Sequence, residues 1–565
     1  MRKTLLLLLI IYIGFSSETW CQNLQLKVSG NDSLETATID SIGYTKIHRD
    51  FSSMEKELDT LYYTINSLGY IESNRHPLTK VNDSLFLTTI ELNKRFGTIK
   101  IYYDKSLVSK AILNQVSENV TEEAFILDFR NIESALEFIN LKTSEKGFPF
   151  AELKLDNIIK NDDNSLEANL IIANTNQSRS INKIIVRGYD KFPKSYLKHY
   201  LKIKTGNVLN LTEIKNKTQQ LNDLPFANQI KEPEILFSKD STILYLYIEK
   251  NKSNAFDGFL GFGTNENTNK LEFNGYLDLQ LVNNLNFGES FTLKYKSDEN
   301  DLRTFDVKLF LPYLFQTPLG LEGELNLFKK DSSFTTSYQK LKSHYQINPK
   351  NRIAIGLKAI QSNNLLNQEN NNPLIQDYKT TFYNVRYEFL YRQNQSRLFR
   401  NNALIDLELG TGNRKLESSK TSQFEYSLEA FKIFNLNKRN SAYIRLKNIS
   451  LFSDDYLENE LIRFGGINSI RGFEENSLSA TFYALLNTEY RYLLSSNFYL
   501  HSIIDVAYFE NDIINQKEKL YSIGFGFGIL TNAGLLRFNY ANGKSENQNF
   551  KLSNSQIHIS LSAIF

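Results

Sequence analysis

The sequence predicts a run of α+β repeats followed by an all-β, 16-stranded transmembrane barrel, and three observations carry that prediction. From about residue 24 to residue 250, a strand, an amphipathic helix, a Gly/Pro-aromatic corner and two more strands recur about every 75 residues. From Phe256 to Phe565, strand-length runs alternate apolar and polar residues between clusters of Asn, Asp, Gly and Ser. There are about sixteen, an even number within the range of outer-membrane barrels. Beyond the leader, no stretch offers about 18 consecutive apolar residues, so any membrane crossing falls to strands.

Residues 1–21 read as a secretory signal peptide, with Arg2-Lys3 as the positive end and Leu5 to Phe15 as a short apolar run. The cut is expected after Cys21, with Thr19 and Cys21 as the small residues and Gln22 as the new terminus. Lipidation of Cys21 is the alternative, and bulky Trp20 before it speaks against that. The chain has one cysteine, so a cut after Cys21 leaves no thiol or disulfide chemistry.

The repeats are expected at 22–96, 97–176 and 177–252. Their helices are placed by apolar residues at spacings of about three and four: Leu58, Leu61, Tyr62 and Ile65 in the first, Ile132, Leu136, Ile139 and Leu141 in the second. These stripes read as core. The corners are Gly69-Tyr70-Ile71, Gly147-Phe148-Pro149-Phe150 and Leu224-Pro225-Phe226. Units this small have thin cores and need support from neighbours. Their strand edges could pair with an extended client segment.

The barrel is expected over 253–565. In its last strand Ile557, Ile559, Leu561, Ala563 and Phe565 face one way and Gln556, His558, Ser560 and Ser562 the other, as lipid and a polar lumen require. The first strand is thinned by Gly258, Gly261 and Gly263. Few good cross-strand pairs would make the seam between first and last strands easy to open.

A long polar segment, 452–479, interrupts the strands. Gly465, Gly466 and Gly472 allow it to turn back sharply, and Arg471 is a donor charged at any ordinary pH. Strand alternation turns Glu489 and Arg491 inward, then Asp505, then Gly524, Gly526 and Gly528, then Arg537 and Asn539. Arg471 is therefore expected to meet Asp505 inside the barrel, with the loop packed against the wall that the three glycines leave bare. The alternative leaves Arg471 in solvent.

Other chemistries find little support. Lysine and arginine number 65 against 63 acids, a formal charge of +2, so nucleic acid is not an expected partner. His48, His76, His199, His344, His501 and His558 are scattered without metal-ligand spacing, and no Gly-rich phosphate loop precedes a helix. No metal, cofactor or catalytic residue is expected.

The motifs resemble the BamA/TamA superfamily of outer-membrane assembly factors, which carry POTRA repeats before a sixteen-stranded barrel. Ile470-Arg471-Gly472-Phe473 matches that family's (V/I)RG(F/Y) signature in the gap between the eleventh and twelfth strands. Ile503 to Ala507 resembles its F-x-D-x-G strand, with Ile503 and Ala507 in place of Phe and Gly. Gly524 to Gly528 and Gly534 to Phe538 resemble its G-x-G and G-(P)-x-R segments, and Phe565 its terminal aromatic signal. The resemblance implies a clamp of Arg471, Gly472 and Phe473 on Asp505, an outer-membrane location and periplasmic repeats. It implies unfolded outer-membrane or secreted proteins as clients, and leaves room for an accessory protein in the periplasm or inner membrane. Three repeats and this length look most like TamA. A secretion pore for a single partner, or a passive channel, is the alternative function.

Overall fold

The computed structural model describes residues 23–562 apart from 176, 265–270, 298–301, 367–371, 394, 395, 397, 532 and 533. The signal peptide, Ala563 and Phe565 lie outside the described residues. There are two compact units, one holding the first two small sheets and the other holding the third sheet with the barrel.

The three small sheets share one plan. The opening strand of each lies parallel to the last: Leu24–Ser29 on Leu85–Glu91, Thr98–Tyr102 on Ser165–Ala173, and Lys183–Gly188 on Thr242–Lys250. A parallel pair needs a crossover, and the helices provide it. In the first, Phe51–Ser67 starts where the Asp50 carboxylate accepts from the Ser53 amide at 2.7 Å, and it buries Met54, Leu58, Leu61 and Ile65. Each such side chain contributes about 1.5–3 kcal/mol over its exposed state. Ile132–Glu145 does the same in the second with Ala135 and Ile139, while Leu141, two residues past Ile139 and so off that face, is exposed. The sequence pattern did not reveal helix Ser33–Ile42, whose one buried residue, Ile39, makes no stripe. It also missed strand Ala227–Phe237, a bulged edge strand interrupted by Pro233.

The third sheet leans on the barrel. A π-helical turn, Tyr196–Tyr200, buries Tyr196, Leu197 and Tyr200. The Tyr196 hydroxyl donates to the carbonyl of Gly288 at 3.2 Å, and its ring lies edge-on to Tyr313, 5.0 Å between centroids. The unit's small core is closed off by two barrel turns, through the Gly288 carbonyl of one and the Tyr313 ring of the other.

The barrel strands are β1 (Ala255–Thr264), β2 (Leu271–Val282), β3 (Ser290–Ser297), β4 (Leu302–Leu311), β5 (Leu319–Lys330), β6 (Phe334–Asn348), β7 (Asn351–Asn364), β8 (Tyr378–Arg392), β9 (Asn401–Lys415), β10 (Lys420–Asn435), β11 (Asn440–Ser453), β12 (Phe482–Leu493), β13 (Phe498–Asn511), β14 (Gln516–Thr531), β15 (Gly534–Ser545) and β16 (Ser555–Ser562). They form one sheet in sequence order, each antiparallel to the next. Outward positions such as Ile355, Tyr383 and Val385 are exposed and apolar, as lipid demands. Inward charges are paired: Lys342 with Glu408 at 2.6 Å, Lys358 with Glu425 at 2.6 Å, Arg386 with Asp406 at 2.7 Å and Arg352 with Glu388 at 2.8 Å. Pairing offsets the cost of taking each ion out of bulk water.

Candidate functional site: the inserted loop and the barrel seam

Between β11 and β12 the chain turns back into the bore. A short antiparallel pair, Ile462–Phe464 with Leu478–Ala480, forms its stem. Between them Gly465 and Gly466 take φ of 116° and 90°, and Gly472 takes 83°. The tip then points Arg471 at the wall formed by β12 and β13.

There the guanidinium meets two carboxylates. Nε donates to Asp505 Oδ2 at 2.8 Å and Nη2 to Asp505 Oδ1 at 2.6 Å, a bidentate fork, while Nη1 donates to Glu489 Oε1 at 2.5 Å. The Arg471 amide adds a bond to Asp505 Oδ2 at 3.1 Å. Arg491 Nε donates to the other Glu489 oxygen at 2.7 Å. Two cations and two anions thus form a neutral cluster. The Asp505 side chain is 0% exposed and that of Arg471 6%. Arg491 lies over the rings of Tyr443 and Phe399, which hold its plane.

The floor beneath the loop is apolar. Phe464 and Ile470 from the loop pack with Tyr483, Leu485, Ala507, Phe509 and Leu520 from the wall, and Phe473 joins at the edge. Alternation predicts a polar lumen, and at this level the structure differs. The inward face of β12 and β13 changes from charged to greasy where the loop sits on it.

The three glycines serve another purpose than expected. A Cβ at Gly524 would strike the Tyr540 carbonyl at 2.0 Å, one at Gly526 His501 and Asn539, and one at Gly528 the Tyr499 ring at 2.2 Å. They make room for the adjoining strand and for inward rings, not for the loop. The loop instead fits against Ser522, Asn542 and Gly543. A Cβ at Gly543 would lie 2.4 Å from the Gly472 carbonyl, and one at Gly472 2.6 Å from the Gly543 amide. Gly472→Ala adds left-handed strain to that clash. It should cost about 1–3 kcal/mol, read as a lower thermal midpoint of the purified folded barrel. An unchanged midpoint would show that the loop tip is not seated on β15. Arg537 sits exposed at the periplasmic end of β15 and makes no bond to the clamp among the described residues.

The seam lies elsewhere on the barrel. β1 pairs with β2 and β16 with β15, but among the described residues no ladder joins β1 to β16, although the two approach. Gly258, Gly261 and Gly263 are on β1, and Leu561 is on β16 opposite Leu536. Ile557 and Ile559 are 60% and 68% exposed on the outer face.

A sixteen-stranded barrel fed by small α+β units, with an extracellular segment pinned inside it, defines the class of outer-membrane assembly and transport barrels. The Omp85 superfamily domain matches residues 283–565, half of the chain, and the surface antigen variable number repeat, a POTRA domain, matches 180–251. The chain belongs to the Omp85 superfamily, and lies in the outer membrane with its repeats in the periplasm. Among solved structures it is similar to CdiB from Acinetobacter baumannii, with TM-score 0.53 and 15% identity over 83% of this chain and 90% of that one. It is also similar to CdiB from Escherichia coli, with TM-score 0.51 and 13% identity over 91% and 97%. BamA from Haemophilus ducreyi lacking POTRA domains 1-3 aligns with TM-score 0.48 and 15% identity over 82% and 99%. Comparison with curated proteins returned no match.

Proposed function

We propose that this barrel assists unfolded client proteins in entering or crossing the outer membrane, nearest in kind to TamA. The observation that carries the reading is the seam: a sheet whose two end strands approach, among the described residues, without a ladder between them. Unpaired backbone groups facing lipid are costly, so such an edge favours an incoming strand that supplies the missing bonds. Arg471, Gly472, Phe473 and Asp505 clamp the loop, and Glu489 and Arg491 share the charge, so the wall from β12 to β15 stays rigid while the seam beyond it yields.

The repeats would pass clients to the seam by the same pairing, and the best edge is Glu152–Lys160. Among the described residues it pairs on one side only, and Ile158 and Ile159 are 55% and 59% exposed. Ala227–Phe237 is blunted by Pro233 and two register shifts. An accessory protein of the periplasm or inner membrane is a further proposed partner.

The test is reconstitution. In lipid vesicles bearing the protein, an unfolded barrel client should fold faster than in empty vesicles. A large steady conductance in planar bilayers with no gain in client folding would overturn the reading in favour of a secretion pore or passive channel.

A further inference from the structure

The loop has a second attachment, opposite in polarity to the first. Arg414, near the outer end of β9, is 0% exposed. Its Nη2 donates to Asp455 Oδ2 at 2.5 Å, its Nη1 donates to Glu460 Oε1, and the same Nη1 donates to the Asp455 carbonyl at 3.2 Å. Gln423 of β10 donates to the other Glu460 oxygen at 3.0 Å, and Thr421 to Asp455 at 3.1 Å. At the clamp the loop supplies the cation and the wall the acids; here the wall supplies the cation and the loop the acids.

The two acids differ in weight. The Asp455 side chain is 58% exposed, so solvent screens its pair. Glu460 is 4% exposed and lies against a fully covered guanidinium. Removing Arg414 leaves Glu460 a buried charge without its counterion, and removing Glu460 leaves the covered guanidinium only the solvent-screened Asp455. The Glu458–Glu460 turn is bolted down further. Asn459 donates to Ser362 Oγ and to the Gln376 carbonyl, both at 2.8 Å, and the Glu458 amide to the Leu374 carbonyl at 2.8 Å. Residues 455–460 are therefore tied to β7, to the segment before β8, to β9 and to β10. The Arg471 ion pairs fall on β12 and β13, and the tip around them rests on the other side of the bore from β7 to β10, against β11 to β15.

We propose that Arg414 is a second positioning residue for the inserted loop, acting through Glu460, so that the loop is held at two independent points. The Glu458–Glu460 turn is a fixed pivot and the Arg471 tip a releasable end. When the clamp lets go, the tip leaves the β12–β13 wall while the pivot keeps the loop in the bore. The inference rests on loop geometry and stands whether the barrel inserts clients or exports them.

Thiol accessibility of the folded full chain tests this in a Cys21→Ser background, which is free of cysteine. Ser469→Cys reports on the tip and Leu461→Cys on the pivot; both positions are buried. With Arg471→Ala, labelling by a maleimide should rise at least about tenfold at the tip and stay unchanged at the pivot. With Arg414→Ala, labelling should rise at least about tenfold at the pivot. With both, the tip should be labelled faster than with Arg471→Ala alone. Glu460→Gln asks the same question from the loop side, should Arg414→Ala fail to fold. The exchanged pair Arg414→Glu with Glu460→Arg should restore protection, which a merely structural role would not. Equal exposure of tip and pivot with Arg471→Ala, or no change at the pivot with Arg414→Ala and Glu460→Gln, overturns the second anchor.

Discussion

Arg471→Ala is expected to destabilise the folded barrel by about 3–5 kcal/mol, because Asp505 then remains as a fully buried carboxylate with no counterion. The cost comes from the stranded charge more than from the lost attraction, and that gives an ordering. Arg471→Lys keeps the charge and loses the fork, so it should fall between wild type and alanine. The double variant Arg471→Ala with Asp505→Ala should cost less than the sum of its two parts, since neither charge is left alone. The measurement is resistance of the detergent-solubilised barrel to heat or urea. If Arg471→Ala behaves like wild type, or if the single-variant costs simply add, the cluster is solvated and holds nothing.

Locking the seam should abolish client insertion altogether. In the Cys21→Ser background, Gly258→Cys on β1 can be paired in turn with Ile559→Cys and Ser560→Cys on β16. The pair whose geometry permits a bond will oxidise. With the bond verified, client folding should fall to the rate seen in empty vesicles and return on reduction. Each single variant should stay active, which separates closure from damage. Undiminished insertion through a verified crosslink would show that clients do not use this seam.

How much of this was legible in the sequence differs by residue. Asp505 was legible because a period of two puts it opposite Ile504 and Val506, and apolar outward neighbours leave no other direction for it. Arg471 was legible from its motif more than from any local physics; a lone arginine in a loop carries no address. Tyr483, Leu485 and Phe509 were not legible as lumen packing. On those strands both faces are apolar near the loop, and alternation cannot say which face a core will claim. Gly524, Gly526 and Gly528 were placed on the right face and given the wrong neighbour. A missing side chain announces close approach but not what approaches. Arg414 was missed for the same kind of reason: its partners lie 41 and 46 residues further on, in a loop whose path the strand pattern does not fix. Glu489 and Arg491 were placed on one face by alternation, but Glu489 as a joint partner of Arg471 and Arg491 follows only from the path of the loop.

The greasy floor under the loop has one more consequence. Water threading a pore needs polar groups to hand it on, and Phe464, Ile470, Leu485 and Phe509 offer none. While the segment is home, no file of water can thread between it and the β12–β13 wall at that level.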